Sequence, residues 1–217
     1  MENFTSKYAN AVINHRIKVL LATFLLILTA IAMIMSYPLR HNNSNEMWFL
    51  PGDPNLVAFE KLQDLFGSSE YLIVGVTARD NDKDIFEYET LMMINEISTM
   101  LEDHEIVEQV RSLSQYQRTY DKNGMVATDD LIEDFEELGD NPVIIENARE
   151  IIKGEELALD SIITSDLKHT RILARTEYRA NDNSHKIKVV NDLRDFIKEK
   201  GYIQKGYDLK LGGVPYV

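Results

Sequence analysis

Between Val19 and Met35 the chain reads VLLATFLLILTAIAMIM, seventeen residues with no charge, glycine or proline. As a helix this run is apolar on all sides, which suits lipid better than the one-sided core of a soluble fold. At ~1.5 Å per residue it rises roughly 25 Å, a little less than a hydrocarbon core of about 30 Å. Ile17 and Tyr37 extend it, Lys18 reaches the headgroups by its own length, and Pro38 stops it. The pattern predicts a transmembrane helix over residues 19–36. A cleaved secretory signal is the competing reading, since Ala30-Ile31-Ala32 resembles a small-residue cleavage site. The apolar run continues through Met33-Ile34-Met35 beyond that site, which favours the span. Upstream, Phe4, Tyr8, Ala11, Val12 and Ile13 recur at helical spacing and predict an amphipathic pre-helix within residues 1–18.

Beyond the span the pattern changes. Residues 38–53 are polar, with Asn42, Asn43, Ser44 and Asn45 in succession, and predict a loop. Asp53-Pro54 is a helix start, with Asp as the cap and Pro in the first position. Leu56, Phe59, Leu62, Leu65 and Phe66 carry that helix to Gly67, which ends it. Glu70 to Ala78 predicts a strand apolar on both faces, so central in a sheet. Ile85 to Leu101 is an amphipathic helix with Ile85, Tyr88, Leu91, Met92, Ile94 and Ile97 inward. A strand over Ile106–Leu113 follows, then a hairpin signalled by Asn123-Gly124.

Residues 129–156 predict two short helices interrupted by Gly139 and Pro142. Leu157–Thr164 and Thr170–Tyr178 predict two strands about a turn. His185–Lys200 predicts a helix with Ile187, Val190, Leu193, Phe196 and Ile197 inward, and Tyr207–Gly212 a last strand. The order β-α-β … β-β-α-β predicts an α+β domain over residues 37–217: a ferredoxin-like arrangement of βαβ repeats, with a mixed sheet and helices on one face. Gly212-Gly213-Val214-Pro215-Tyr216-Val217 reads as a truncation before a further element.

Charge adds orientation. Lys7, Arg16 and Lys18 precede the span against Glu2 alone, so the positive-inside rule places residues 1–18 in the cytoplasm and 37–217 outside. The formal net charge of the 217 residues is −13. The first 36 residues carry +2, which leaves −15 on the outer part. Such a surface repels nucleic acid and anionic lipid. No cysteine is present, so the domain rests on its core and sheet rather than on disulfides.

No catalytic pattern stands out. The five histidines are scattered, and there is no Walker loop, no G-x-G-x-x-G, no G-x-S-x-G and no H-E-x-x-H. Asp121-Lys122-Asn123-Gly124 begins like a calcium loop but lacks its later ligands. The sequence therefore predicts no catalytic, cofactor-binding or metal-binding residues and no enzyme. The acidic run 129–156 is read as a solvated face.

The stretch Phe49–Val76, FLPGDPNLVAFEKLQDLFGSSEYLIVGV, resembles the opening of exporters of the RND superfamily, in the MMPL-like or Patched-like branch. Those proteins carry an aromatic-Pro stretch after the first span, a helix ending in Phe-Gly, then an acid and an apolar strand. The matching residues are Phe49, Pro51, Asp53, Pro54, Phe66, Gly67 and Glu70. Val110-Arg111-Ser112-Leu113 resembles the family's V-x-S-L strand end. Ile162–Thr170, IITSDLKHT, resembles its S-x-D-g-k turn, with Leu167 where the family has glycine. Leu209–Pro215, LKLGGVP, resembles the segment before its second span.

The resemblance implies a proton-motive-force-driven exporter in a cell inner membrane, of which this chain supplies the first span and the first periplasmic porter domain. It implies as partners the remaining transmembrane half and second porter domain of the same transporter, the lipid bilayer, and a hydrophobic or lipid-like substrate. A homo-oligomer stays open, and no nucleic acid is involved. Trp48, Phe49, Tyr116 and Tyr120 are the candidate residues lining a cargo path. The competing reading is a single-span receptor or sensor with an outer ligand-binding domain.

Overall fold

In a computed structural model, residues 12–36, 48–50, 52–67, 69–79, 83–139, 141–179 and 184–213 are described. The chain divides into two units, Met1–Asn42 and Asn43–Val217. In the first, helix α1 (Arg16–Ser36) has no buried side chain and is long and apolar enough to cross a membrane. Its 21 residues rise about 31 Å. The Thr23 hydroxyl donates to the Val19 carbonyl at 2.9 Å and the Thr29 hydroxyl to the Leu25 carbonyl at 2.6 Å. Both polar groups are thus satisfied within the helix, as a hydrocarbon surrounding requires. The predicted stripe residues Phe4, Tyr8 and Ala11, and the stop at Tyr37-Pro38, lie outside the described residues.

The second unit runs α2 (Pro54–Phe66), β1 (Tyr71–Thr77), α3 (Tyr88–Glu102), β2 (Val107–Arg111), β3 (Gln117–Lys122), β4 (Met125–Asp130), α4 (Pro142–Lys153), β5 (His169–Thr176), α5 (Ser184–Lys200) and β6 (Asp208–Gly213). It is a mixed α+β unit. Four strands form one sheet in the order β2-β5-β1-β6, and β3 and β4 form a separate hairpin. Each pairing in the larger sheet is antiparallel, which corrects the expected mixed sheet. The reason is that each helical crossover skips a position. β5 lies between β1 and β2, and β1 lies between β5 and β6, so strands joined through α3 or α5 are never neighbours.

One sheet face makes the core. Leu72, Val74 and Val76 of β1 and Ile172 and Ala174 of β5 join Leu91, Ile94, Ile97 and Leu101 of α3 and Val189, Val190, Leu193 and Ile197 of α5 in one buried cluster. Each Val, Leu and Ile side chain among them contributes roughly 1.5–3 kcal/mol on burial. On the other face Tyr71, Ile73 and Gly75 are only half-buried, so β1 is not covered on both sides as its sequence suggests. Val110 is buried at the end of β2. Next to it Ser112 accepts from the Ser98 hydroxyl at 2.8 Å, and Ser112 and Ser114 hydroxyls lie 3.0 Å apart. A buried serine chain therefore ties β2 to α3.

Several helical faces are rotated from their predicted positions. Ile85 and Phe86 are buried ahead of α3, while Tyr88, expected inward, is exposed. Ile187 is also exposed. The fully buried Lys186 takes the inward place beside it, ion-paired with Glu70. Helix α2 starts as predicted, with the Asp53 carboxylate accepting from the Asn55 amide at 2.8 Å. Of its apolar residues only Leu56 is buried.

The segment between β2 and β5 departs most. The hairpin forms at the predicted dipeptide, with positive φ at both Asn123 (58°) and Gly124 (81°), as a two-residue turn of the favoured hand requires. The first of the two predicted acidic helices is absent: Asp129 and Asp130 extend β4, and only a short 3-10 turn, Glu137–Gly139, follows. The second is α4, capped by Asn141 on the Val143 amide at 3.2 Å. The predicted strand 157–164 is also absent. Its residues turn back on themselves, with the Ala158 amide donating to Glu155 and the Ile162 amide to Ala158. β2 covers its edge of β5 only over Leu173–Thr176, and at the open end of that edge a single bridge joins Ile163 to Thr170, with the Arg171 amide donating to Ile162 and the Thr164 amide to His169, each at 2.9 Å.

Candidate functional site

The inserted segment builds a cleft. In the hairpin Arg118 pairs with Asp129, Gln117 with Asp130 and Tyr120 with Ala127. Helix α4 lies opposite, and together they enclose about 430 Å³. The floor is apolar, from Leu131, Ile144 and Ile151, and the rim carries five carboxylates, Asp129, Asp130, Glu133, Asp134 and Glu137. Arg118 is the one cation of the lining. Its Nε donates to Glu155 at 3.1 Å, so its charge is already matched. The field in the cleft is negative and favours cations over anions.

Of the two tyrosines singled out from the sequence, Tyr120 lines this cleft. The Tyr120 hydroxyl donates to Asp129 at 2.5 Å, and the Arg118 guanidinium carbon stands 5.0 Å from the Tyr120 ring centre. The hydrogen bond to Asp129, with some loss of solvent and the repulsion of that carboxylate, holds the Tyr120 phenol above its ordinary pKa. The Tyr116 hydroxyl donates to Glu155 at 3.1 Å. Burial first, then that bond and the Glu155 charge, raises the Tyr116 phenol. Both phenols therefore stay protonated and act as donors to carboxylates. Tyr120 lines the cleft and Tyr116 braces its wall through Glu155. Trp48 and Phe49 are exposed and line neither this cleft nor the second cavity.

The second cavity, about 500 Å³, lies between α3 and the turn after α5. Met92, Met93, Tyr88, Tyr202 and Tyr207 supply its softer walls. Its aromatic faces are occupied by the chain's own cations: Arg79 stands 5.9 Å from the Tyr207 ring centre and the Lys205 ammonium 5.7 Å from that of Tyr202. The Tyr202 hydroxyl donates to Glu96, which the Lys200 ammonium also meets at 2.9 Å. Burial, then the bond to Glu96, drives the Tyr202 phenol far above its ordinary range. Burial alone would raise the Glu96 carboxyl, but the bonds from Lys200 and Tyr202 outweigh it and hold the carboxyl low. This network closes on itself, whereas in the first cleft Asp129 accepts from Tyr120, Asp130 from Gln117 at 2.9 Å and Asp134 from the Glu136 amide at 2.7 Å, with no cation on any of the three.

The carboxylates of the first cleft were read from the sequence as a solvated face. Their strand and turn positions put them around an apolar floor, which charge density alone does not reveal. Asp121 accepts from the Gly124 amide at 2.7 Å and is used within the hairpin turn. Among the described residues no group of three or more histidines and carboxylates is arranged to hold a metal ion. The arrangement can bind and orient a cationic or amphiphilic molecule by charge and contact. No protein-family model matches the chain, and no curated protein matches it.

Proposed function

We propose that this chain is the N-terminal part of an RND-type membrane exporter, with α1 as the first span and residues 37–217 as a porter domain outside the membrane. The observation that carries the reading is the order β2-β5-β1-β6, in which two split βαβ units interleave into one antiparallel sheet. Interleaved βαβ units belong to the ferredoxin-like pattern and support the reading, as does the apolar helix ahead of them in the chain. A second support is Leu167. It stands at φ 58°, at the position where the family has a glycine, and a left-handed residue other than glycine costs about 1–2 kcal/mol. Its buried side chain offsets that cost.

In this reading hydrophobic or lipid-like cargo passes the domain on its way out, driven by the proton gradient. Nothing ionisable lies within Val19–Met35, so proton relay belongs to other spans of the transporter. The positive-inside rule supports a cytoplasmic N-terminus, and the resemblance supports an inner membrane. The chemistry assigned to the chain is passage and binding, not catalysis.

The test is the natural reading frame downstream of the Val217 codon, followed by transport measurement. A second apolar span soon after Val217, then a cluster of further spans, is the expected finding. Inverted vesicles holding the whole protein should then accumulate a fluorescent lipid-like dye on addition of a proton gradient. A stop codon at Val217, or a cytoplasmic signalling segment, overturns the exporter reading. Such a result would favour a single-span sensor, a reading supported by the cleft between the hairpin and α4 lying wholly within one domain.

A further inference from the structure

Ile144, Asn147 and Ile151 lie at i, i+3 and i+7 and so share one face of α4. Ala148 and Ile152, on the adjoining face, are buried in the core. Ile144 and Ile151 are only half-buried, and with Leu131 they line the cavity of about 430 Å³ opposite the hairpin. The apolar stripe of α4 thus continues out of the core into open space. That volume lies in the range of small-molecule sites, about 300–1,000 Å³.

The rim of the same cavity selects the charge and the chemistry of what enters. Asp129, Asp130 and Asp134 each accept one hydrogen bond from the chain itself. Glu133 and Glu137 have no hydrogen bond or ion pair among the described residues. Arg118 is bound to Glu155, so the carboxylates have no counter-charge within the cleft, and an anion is repelled. Carboxylate oxygens accept N–H donors, and a charge-assisted bond of that kind is roughly twice as strong as a neutral one. A quaternary ammonium has no N–H and depends on aromatic faces instead. Tyr120 is the one aromatic among the lining residues, and the Arg118 guanidinium already stands 5.0 Å from its ring centre. A metal ion is disfavoured as well. Among the described residues no three carboxylates or histidines are arranged to hold one, and a metal ion gains nothing from an apolar floor.

We infer that this cleft binds a small primary amine with an apolar body, its ammonium head on Glu133 and Glu137 and its body on Leu131, Ile144 and Ile151. Carboxylates around an apolar floor complement such a molecule at both ends. The cleft lies wholly within the second unit, so the inference goes beyond the exporter reading and holds equally for a sensor.

The test titrates the full chain in phosphatidylcholine nanodiscs by calorimetry, with empty nanodiscs as the blank. The probes are 4-phenylbutylamine, its N,N,N-trimethyl derivative and 4-phenylbutanol. The amine is expected to bind one to one, about tenfold more tightly than either of the others, because both lack the charged N–H donor. Glu133→Gln with Glu137→Gln should weaken the amine by a similar factor. Asp195→Asn with Glu199→Gln makes the same change of charge at exposed positions of α5 and should leave the affinity unchanged. Asn147→Trp, also at an exposed position, should fill the cleft and abolish binding with unchanged circular dichroism. No binding of the amine, equal affinity for the amine and the trimethyl compound, or equal loss in the two double variants overturns the inference. So does full binding by Asn147→Trp. Each of these results leaves the exporter reading standing, since that reading is decided by the spans downstream of Val217.

Discussion

The four-stranded sheet with α3 and α5 and the inserted segment between β2 and β5 solve different problems. In the sheet unit, apolar residues alternate along β1 and β5 and recur every three to four residues along the helices, and they converge on one buried cluster. In the insert, polar residues dominate, the strands pair only with each other, and the carboxylates ring a cleft. One region holds the unit together. The other presents a surface that stability alone does not explain. Stability and binding should therefore respond to substitutions in different places.

The largest effect should come from the buried ion pair of the sheet unit. Glu70→Ala removes the carboxylate that meets the buried Lys186 ammonium and is expected to cost about 3–5 kcal/mol, read as a lower urea midpoint. Ile94→Ala, at a fully buried position, should cost roughly 2–5 kcal/mol through lost contact and a residual cavity. If either variant unfolds at the wild-type midpoint, the sheet unit is not the stabilising region.

In the insert, Asn141→Ala removes the cap of α4 and should cost about 0.5–2 kcal/mol. That loss should fall on the cleft wall first, seen as faster amide exchange in α4 than in β1. Glu133→Gln with Asp134→Asn should move the unfolding midpoint by no more than about 0.5 kcal/mol. The same pair should weaken binding of a cationic amphiphilic dye and flatten its salt dependence. Unchanged dye affinity would show that the cleft's charge has no binding role.

A further small effect is a pH dependence. The Glu96 carboxyl is held low by Lys200 and Tyr202 against the opposing effect of burial. A carboxyl depressed in the folded state contributes stability above its unfolded value, about 4.3, and loses it as pH falls through the lower folded value. Glu96→Gln should therefore be less stable than the parent at pH 7, by less than about 1 kcal/mol given the exposure of the pair. The difference should shrink below pH 4. A gap that widened in acid would contradict the network at Tyr202.

Much of the sheet unit was legible because local pattern and tertiary demand agree there. β1, β5, β6, α3 and α5 lie within a few residues of their sequence positions, and Asn123-Gly124 turns the hairpin where the dipeptide requires it. Tyr120 lines the cleft between the hairpin and α4, but nothing local marks the carboxylates beside it as lining one. A run of acids reads the same whether it faces open water or surrounds an apolar floor.

The amino-acid sequence by itself determined that one segment is apolar on every side, that Asp53 and Pro54 start a helix, and that a helix separates β1 from β2 and β5 from β6, because these follow from local sterics and side-chain polarity. Only the tertiary structure decided that the sheet is wholly antiparallel, that Leu157–Thr164 forms turns, and that Leu62, Leu65 and Phe66 stay uncovered. Each of those depends on which strand edges and surfaces are already filled, and occupancy is a property of the assembled unit rather than of any segment.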